Sequence, residues 1–229
     1  MTKLLAIETS TELASVALFS NNTIFSRELL GVQTHSQGLL PAVQGLLVEA
    51  GISVKELTAV AFGCGPGAFT GVRTACGVVQ GLAFGLDLPV LPIHSLLAQA
   101  QAANTGGQED QFVCVLDARM NEVYSAHYHW REGAWHIQMA PRLSSFEVVL
   151  AYAKEHHLPL VLGKGLVLPL AFEDLPFVVC VPHAAQILEL ALLDLRLGLQ
   201  MPAEMAQPLY LRNKIALTTA ERLVNASVK

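Results

Sequence analysis

The densest chemistry in the sequence is the stretch Gly63-Cys-Gly-Pro-Gly-Ala-Phe-Thr-Gly-Val-Arg73, which separates an apolar run ending at Phe62 from a helical run ending at Leu86. A glycine-rich turn that opens a helix aims free backbone N–H groups and the positive end of the helix dipole at one spot, which suits a phosphate or a carboxylate. Gly65, Gly67 and Thr70 are the cradle residues on that reading. The same glycines also suit a tight structural turn with positive φ and no ligand. The stretch matches neither Walker A nor the dinucleotide fingerprint, so both readings stand.

The helix that follows carries Gly77, Gly81 and Gly85 four residues apart, in line with Arg73. Each internal glycine costs about 1 kcal/mol relative to alanine, so the stripe implies a compensating close approach to the backbone. That approach comes either from the same lobe or from another subunit. In the preceding helix Leu39, Leu40, Val43, Leu46 and Leu47 recur at helical spacing, while Pro41, Ala42, Gln44, Gly45 and Ala50 leave the remainder almost uncharged; Glu49 alone is charged between His35 and Ala50. A solvated helix face normally carries Lys, Glu or Arg, so this helix is either a partner surface or fully buried. The candidate interface is His35, Leu39, Leu40, Val43, Leu47, Arg73, Gly77 and Gly81.

Other chemistries are poorly served. His127 and His129 share a strand face and His156-His157 end a helix, but no carboxylate or cysteine joins them at ligand spacing. There is no Gly-x-Ser-x-Gly elbow and no paired carboxylate arrangement. Cys64, Cys76, Cys114 and Cys180 form no C-x-x-C pair and read as reduced, buried thiols.

The elements that must position these residues repeat. Leu4–Ser10 reads as a buried strand, 14–20 and 23–29 as a hairpin turning at Asn21-Asn22, and 39–47 as a helix with Ser36 as its cap and Gly51 as its stop. A strand at 57–62, a helix at 71–86, a strand at 89–93 and a helix at 95–103 complete βββαβαβα. The polar stretch 104–110 has no apolar periodicity and marks a boundary, giving lobes 1–106 and 107–229. Strands at 112–118, 123–130 and 135–139, a helix at 145–156, strands at 160–162 and 178–181 and a helix at 184–198 then partly repeat the order. The fold class expected is α/β, a duplicated actin-like (ASKHA) two-lobed fold whose C-terminal lobe is smaller and partly degenerate.

Composition narrows the function. Hydrophobic residues make up 52% and charged residues 14%, against about 25% charged in an ordinary soluble domain, which points to surface covered by another subunit. The net charge of −5 opposes autonomous nucleic-acid binding. The longest apolar candidate, 160–172, is short and holds Lys164, and Lys3 is followed by only four apolar residues before Glu8. No membrane span or secretory signal is read, and the cytoplasm is the expected location.

Five ordered anchors carry a family resemblance over nearly the whole chain: Ile7-Glu-Thr-Ser10, His35-Ser36 with Leu39-Leu-Pro41, Gly65 to Arg73, Asp117-Ala-Arg-Met-Asn-Glu-Val-Tyr124, and Pro208-Leu-Tyr-Leu-Arg212. In these the chain resembles the bacterial TsaB (YeaZ) family, which takes part in making threonylcarbamoyladenosine at position 37 of transfer RNA. The related catalytic subunit, TsaD, carries a metal-binding His-x-x-x-His where this chain places Ser95 and Gln99, a hydroxyl and a neutral amide that bind a catalytic divalent metal poorly. The resemblance therefore implies no catalytic residues and no metal. It implies a non-catalytic subunit that pairs with TsaD through its N-terminal lobe and forms a similar homodimer alone. It also implies ATP consumption by the assembly with the ATPase TsaE, no cofactor assigned to this chain, and tRNA reached only through the complex.

Two rivals remain at this stage. One is a solitary actin-like kinase or ATPase, with Glu8, Thr9, Ser10 and Asp117 on opposing phosphate loops of a cleft. The other is a metalloprotease, which the missing ligand pair and the absence of His-Glu-x-x-His oppose.

Overall fold

The computed structural model describes residues 1–29, 35–104, 106 and 110–212. The expected tail beyond 212, the side chains of His35 and Ser36, and residues 105 and 107–109 at the expected lobe boundary lie outside the described residues. The first half forms β1 (Leu4–Glu8), β2 (Ala14–Ser20), β3 (Thr23–Leu29), α1 (His35–Glu49), β4 (Ala59–Gly65), α2 (Phe69–Leu86), β5 (Val90–His94) and α3 (Ser95–Ala103). The second forms β6 (Gln111–Arg119), β7 (Glu122–Arg131), β8 (Ala134–Ser145), α4 (Phe146–Glu155), β9 (Leu160–Leu162), β10 (Phe177–Val179) and α5 (Ala184–Arg196).

The two sheets share one topology. The first runs β3-β2-β1-β4-β5 and the second β8-β7-β6-β9-β10. In each, the first three strands meander antiparallel and the last two are added in parallel. This duplicated arrangement is the two-lobed actin-like α/β fold. Local chemistry explains the turns: Asn21 and Asn22 take positive φ of 51° and 61° between β2 and β3, a conformation asparagine tolerates in hairpins. α1 stops where Gly51, at φ +66°, and Ile52 turn their N–H groups back to Val48 and Leu47, a Schellman ending. Its start differs from expectation, since the helix already begins at His35 and Ser36 lies in its first turn rather than at its cap.

In the first sheet, period-two alternation divides the side chains between two covered faces. Leu5, Ile7, Val16, Leu18, Val60 and Phe62 meet α1 and α2 on one face. Ala6, Ala17, Ala59 and Ala61 lie on the other, where α5 returns from the far end of the chain to pack with Ile187, Leu188 and Ala191. So α5, the last α-helix among the described residues, which the element order assigns to the second half, covers the first sheet. α3 sits between the sheets, its Ala98 in the core of the first lobe and its Leu96 and Ala100 in that of the second. In the second half the helix equivalent to α2 is missing: a 3-10 turn at Leu170–Phe172 takes its place and β10 is left exposed.

Candidate functional site

The glycine-rich turn packs against the end of β1. Ala68 N–H donates to Ser10 O at 2.7 Å and Thr9 Oγ1 donates to Gly71 O at 2.7 Å. A Cβ on Gly67 would stand 2.5 Å from Ser10 Cβ, and one on Gly71 would stand 1.9 Å from Thr9 O. Gly65 takes φ +101°. These glycines thus serve close packing and a turn that L side chains resist. Thr9 and Gly65 stand behind the surface, whereas Ser10, Gly67 and Thr70 reach a cavity of about 890 Å³ between the lobes. Asp117, Arg119 and Lys164 face them from the second lobe.

That cavity carries both signs of charge. Asp117 is held by its own turn, accepting the Arg119 N–H at 2.8 Å and pairing with the Arg119 guanidinium at 3.2 Å. Arg119, Met120 and Asn121 take successive φ values of 63°, 59° and 60°, a left-handed run that costs energy for non-glycine residues. α2 opens at Ala68 with no side-chain cap, so the positive end of its dipole points into the cavity. The expected anion-loop residues therefore divide: Ser10, Gly67, Thr70 and Asp117 share one cavity, and Thr9 and Gly65 shape its wall.

Beneath the wall lies a fully buried carboxylate. Glu8 accepts the Ser10 N–H at 2.5 Å and the Ser95 hydroxyl at 3.0 Å. Burial pushes its carboxyl above the ordinary value of 4.5, and the hydrogen bonds from Ser10 and Ser95 offset this only in part. The neighbouring Cys64 thiol is pushed up to about 12, by burial first and by the Glu8 charge second, so it is unreactive as a nucleophile.

Ser95 and Gln99, the two residues that the resemblance singled out, are committed to packing. Ser95 binds Glu8, and the two N–H groups of the Gln99 amide are shared among three carbonyls, Cys180 O at 2.9 Å, Val161 O at 3.2 Å and Val115 O at 3.3 Å. Both side chains are fully buried. Gln99 is a joint between α3 and the second sheet, a role that the sequence reading missed. Among the described residues no group of three or more His, Cys, Asp or Glu is placed to hold a metal.

The helix faces correct part of the expected interface. Leu39, Val43 and Leu47 point into the core of their own lobe and present nothing to a partner. The reason is helical phase: with Ala42 and Leu46 they form the stripe that meets β2, and the rest of the helix faces out, one flank of it crossed at Gly45 by Arg27, which pairs with Glu49 at 2.9 Å. Leu40 (51% exposed) and Val48 (76%) are the apolar side chains on that outer face. On α2, a Cβ at Gly77, Gly81 or Gly85 would meet nothing within 4 Å. Among the described residues, then, no element of the lobe uses the stripe, and Phe84 (79% exposed) stands beside it. Arg73, in line with the glycines, stacks on Phe69 at 3.7 Å and donates to Tyr210 Oη at 2.6 Å.

Tyr210 belongs to a segment without regular structure whose role periodicity could not reveal. Residues 206–212 cross from the first lobe to the second: Leu209 N–H donates to Cys64 O at 2.7 Å, and Arg212 pairs with Glu122 at 2.8 Å.

Comparison with known proteins adds to this geometry. The family model described as TsaD, tRNA N6-adenosine threonylcarbamoyltransferase, matches residues 29–180. The tRNA threonylcarbamoyladenosine biosynthesis protein TsaB of Escherichia coli is 33% identical over 93% of this chain and 96% of its own length. The protein of the same name from Haemophilus influenzae is 35% identical over 93% and 94%. A solved structure described as YeaZ from Pseudomonas aeruginosa aligns with a TM-score of 0.76 at 34% identity, covering 92% of this chain and all of the other. A second, described as an uncharacterized protein with similarity to peptidase YEAZ from Pseudomonas aeruginosa, reaches a TM-score of 0.81 at 37% identity over 93% of this chain. With near full-length matches in both sequence and fold, the chain belongs to the TsaB (YeaZ) family.

Proposed function

We propose that this chain is the non-catalytic subunit that pairs with TsaD and supports threonylcarbamoyladenosine formation at position 37 of transfer RNAs reading ANN codons. The observation that carries this reading is the bare glycine stripe of α2 beside Phe84, together with the exposed Leu40 and Val48 on the outer face of α1. A backbone left open in a helix interior is costly alone and favourable once another helix lies against it. TsaD is a fitting partner because its own family model matches this chain from residue 29 to 180, so two related lobes can meet about a pseudo-twofold axis. The same face serves a homodimer when the chain is alone.

The relatives' names support the pathway, and the buried engagements of Ser95 and Gln99 support a chain without transferase or peptidase chemistry. On this reading ATP is consumed by the assembly, with TsaE taking part, and tRNA is held through the complex in the cytoplasm. The interlobe cavity favours one competing reading, a solitary actin-like ATPase. Reconstituted synthesis with TsaD, TsaE, tRNA, ATP and threonylcarbamoyl-adenylate, with and without this chain, separates the two. Synthesis that depends on the chain, together with a light-scattering mass for a heterodimer, is expected. Independence of the chain, with ATP turnover by the chain alone, would favour the ATPase.

A further inference from the structure

The lobes are joined unequally on the two sides of the cleft. On one side α3 cements them through buried groups, with Gln99 bonded to three backbone carbonyls of the second lobe and Gln101 bonded to Trp135 at 2.7 Å. On the other side the connection is the segment 206–212. Its hold on the first lobe is spread over several anchors: Ala206 O accepts from Gln80 Nε2 at 2.9 Å, Leu209 N–H reaches Cys64 O, and Tyr210 Oη accepts from Arg73. Among the described residues, its hydrogen bonds and ion pair to the second lobe all come from one side chain. Arg212 pairs with Glu122 and donates to Ala118 O at 3.0 Å, gripping the left-handed turn at 119–121 that borders the cavity.

We infer that residues 206–212 form a clasp across the cleft, and that docking on α2 tightens it through Arg73 and Tyr210. The tightening rests on the reading of the α2 face as the docking surface. Arg73 continues the glycine stripe by one turn, and both Arg73 and Tyr210 are exposed in the isolated chain. A partner laid over the stripe excludes water from the Arg73–Tyr210 hydrogen bond, and a charge-assisted bond strengthens as the local dielectric falls. The strain of a left-handed turn persists only where its surroundings hold it, so a firmer strap fixes that turn and with it one wall of the cavity.

Hydrogen–deuterium exchange on the full chain tests this. In the chain alone, Arg212→Ala should speed exchange of the Leu209 amide and of residues 118–122 by roughly 10-fold while the strands β1 and β4 stay protected; unchanged exchange overturns the clasp. Added TsaD should slow exchange along α2 and also at 118–122 in the other lobe. In Tyr210→Phe the protection of α2 should remain and that of 118–122 should be lost; protection of 118–122 that survives in this variant overturns the coupling. If TsaD protects neither region, the docking reading fails and the tightening with it, while the Arg212→Ala comparison alone still decides the clasp.

Discussion

Glu8 and Gly63 compete for the same volume: a Cβ built on Gly63 would lie 1.8 Å from Glu8 Oε2. The buried carboxylate exists because β4 carries no side chain opposite it. Gly63→Ala must therefore displace a group with no exit to solvent, and overpacking of this kind costs about 3 kcal/mol. The loss should appear as a lower urea midpoint at unchanged slope. The double variant with Glu8→Ala should be less destabilised than the sum of the two changes, because one change relieves the other. Additive losses would mean that the two residues do not share the space.

The acid–base behaviour of Glu8 has a definite sign. Its carboxyl titrates above the ordinary 4.5 in the folded chain because burial disfavours the charge. Between those two values the folded chain holds the proton and the unfolded chain does not, so stability is full below 4.5 and falls as pH rises through the raised value. Glu8→Gln removes this dependence. Its Tm should exceed that of the natural chain at neutral and alkaline pH, with the gap closing on acidification below the ordinary carboxylate range. A gap that grows with acid would contradict the assignment.

Gln99 should be a joint rather than a remnant of a site. Gln99→Leu keeps the volume and removes the amide that meets three carbonyls; Val115 O keeps a second donor in Gly163 N–H at 2.7 Å. The expected loss is about 2 kcal/mol, with calorimetry showing the single unfolding transition broadening or splitting as the lobes uncouple. A variant as stable and cooperative as the natural chain would remove the joint.

The glycine stripe allows stability and pairing to be moved in opposite directions. Gly81→Ala fills open space on a helix, so the isolated chain should gain about 0.5–1 kcal/mol. The same methyl group obstructs close approach of a partner helix, so affinity for TsaD should fall, and Gly81→Arg should abolish pairing without unfolding the chain. Leu40→Glu should behave like Gly81→Arg, whereas Leu39→Glu should unfold the lobe because Leu39 is core. Titration calorimetry and thermal melts on the four variants give both axes.

The succession of strands and helices in the first lobe could be read from the sequence because runs such as Leu4–Ile7 and Ala59–Phe62 are apolar throughout, as sheets covered on both faces require. The orientation of α1 could not, because the one charge in the helix, Glu49, stands at its very end, and packing on β2 tells Leu39 from Leu40. Gln99 looked like an ordinary polar residue since its partners are backbone carbonyls far along the chain. A strand was expected at 178–181 from its apolar residues; β10 runs Phe177–Val179 and is exposed, because among the described residues no helix covers that edge. The strap at 206–212 has no periodicity, and its meaning lies wholly in what it bridges.

The return of α5 to the first sheet gives the chain an order of assembly during synthesis. Leu4, Ala6, Ala17, Ala59 and Ala61 await a cover that is made only after the whole second sheet. While the ribosome is still adding β6 to β10, the emerging first lobe shows water a continuous apolar face, the kind of surface that draws chaperones or leads to aggregation. Fragments cut between the sheets inherit that face permanently, so the two lobes, though built on one plan, are not separable pieces.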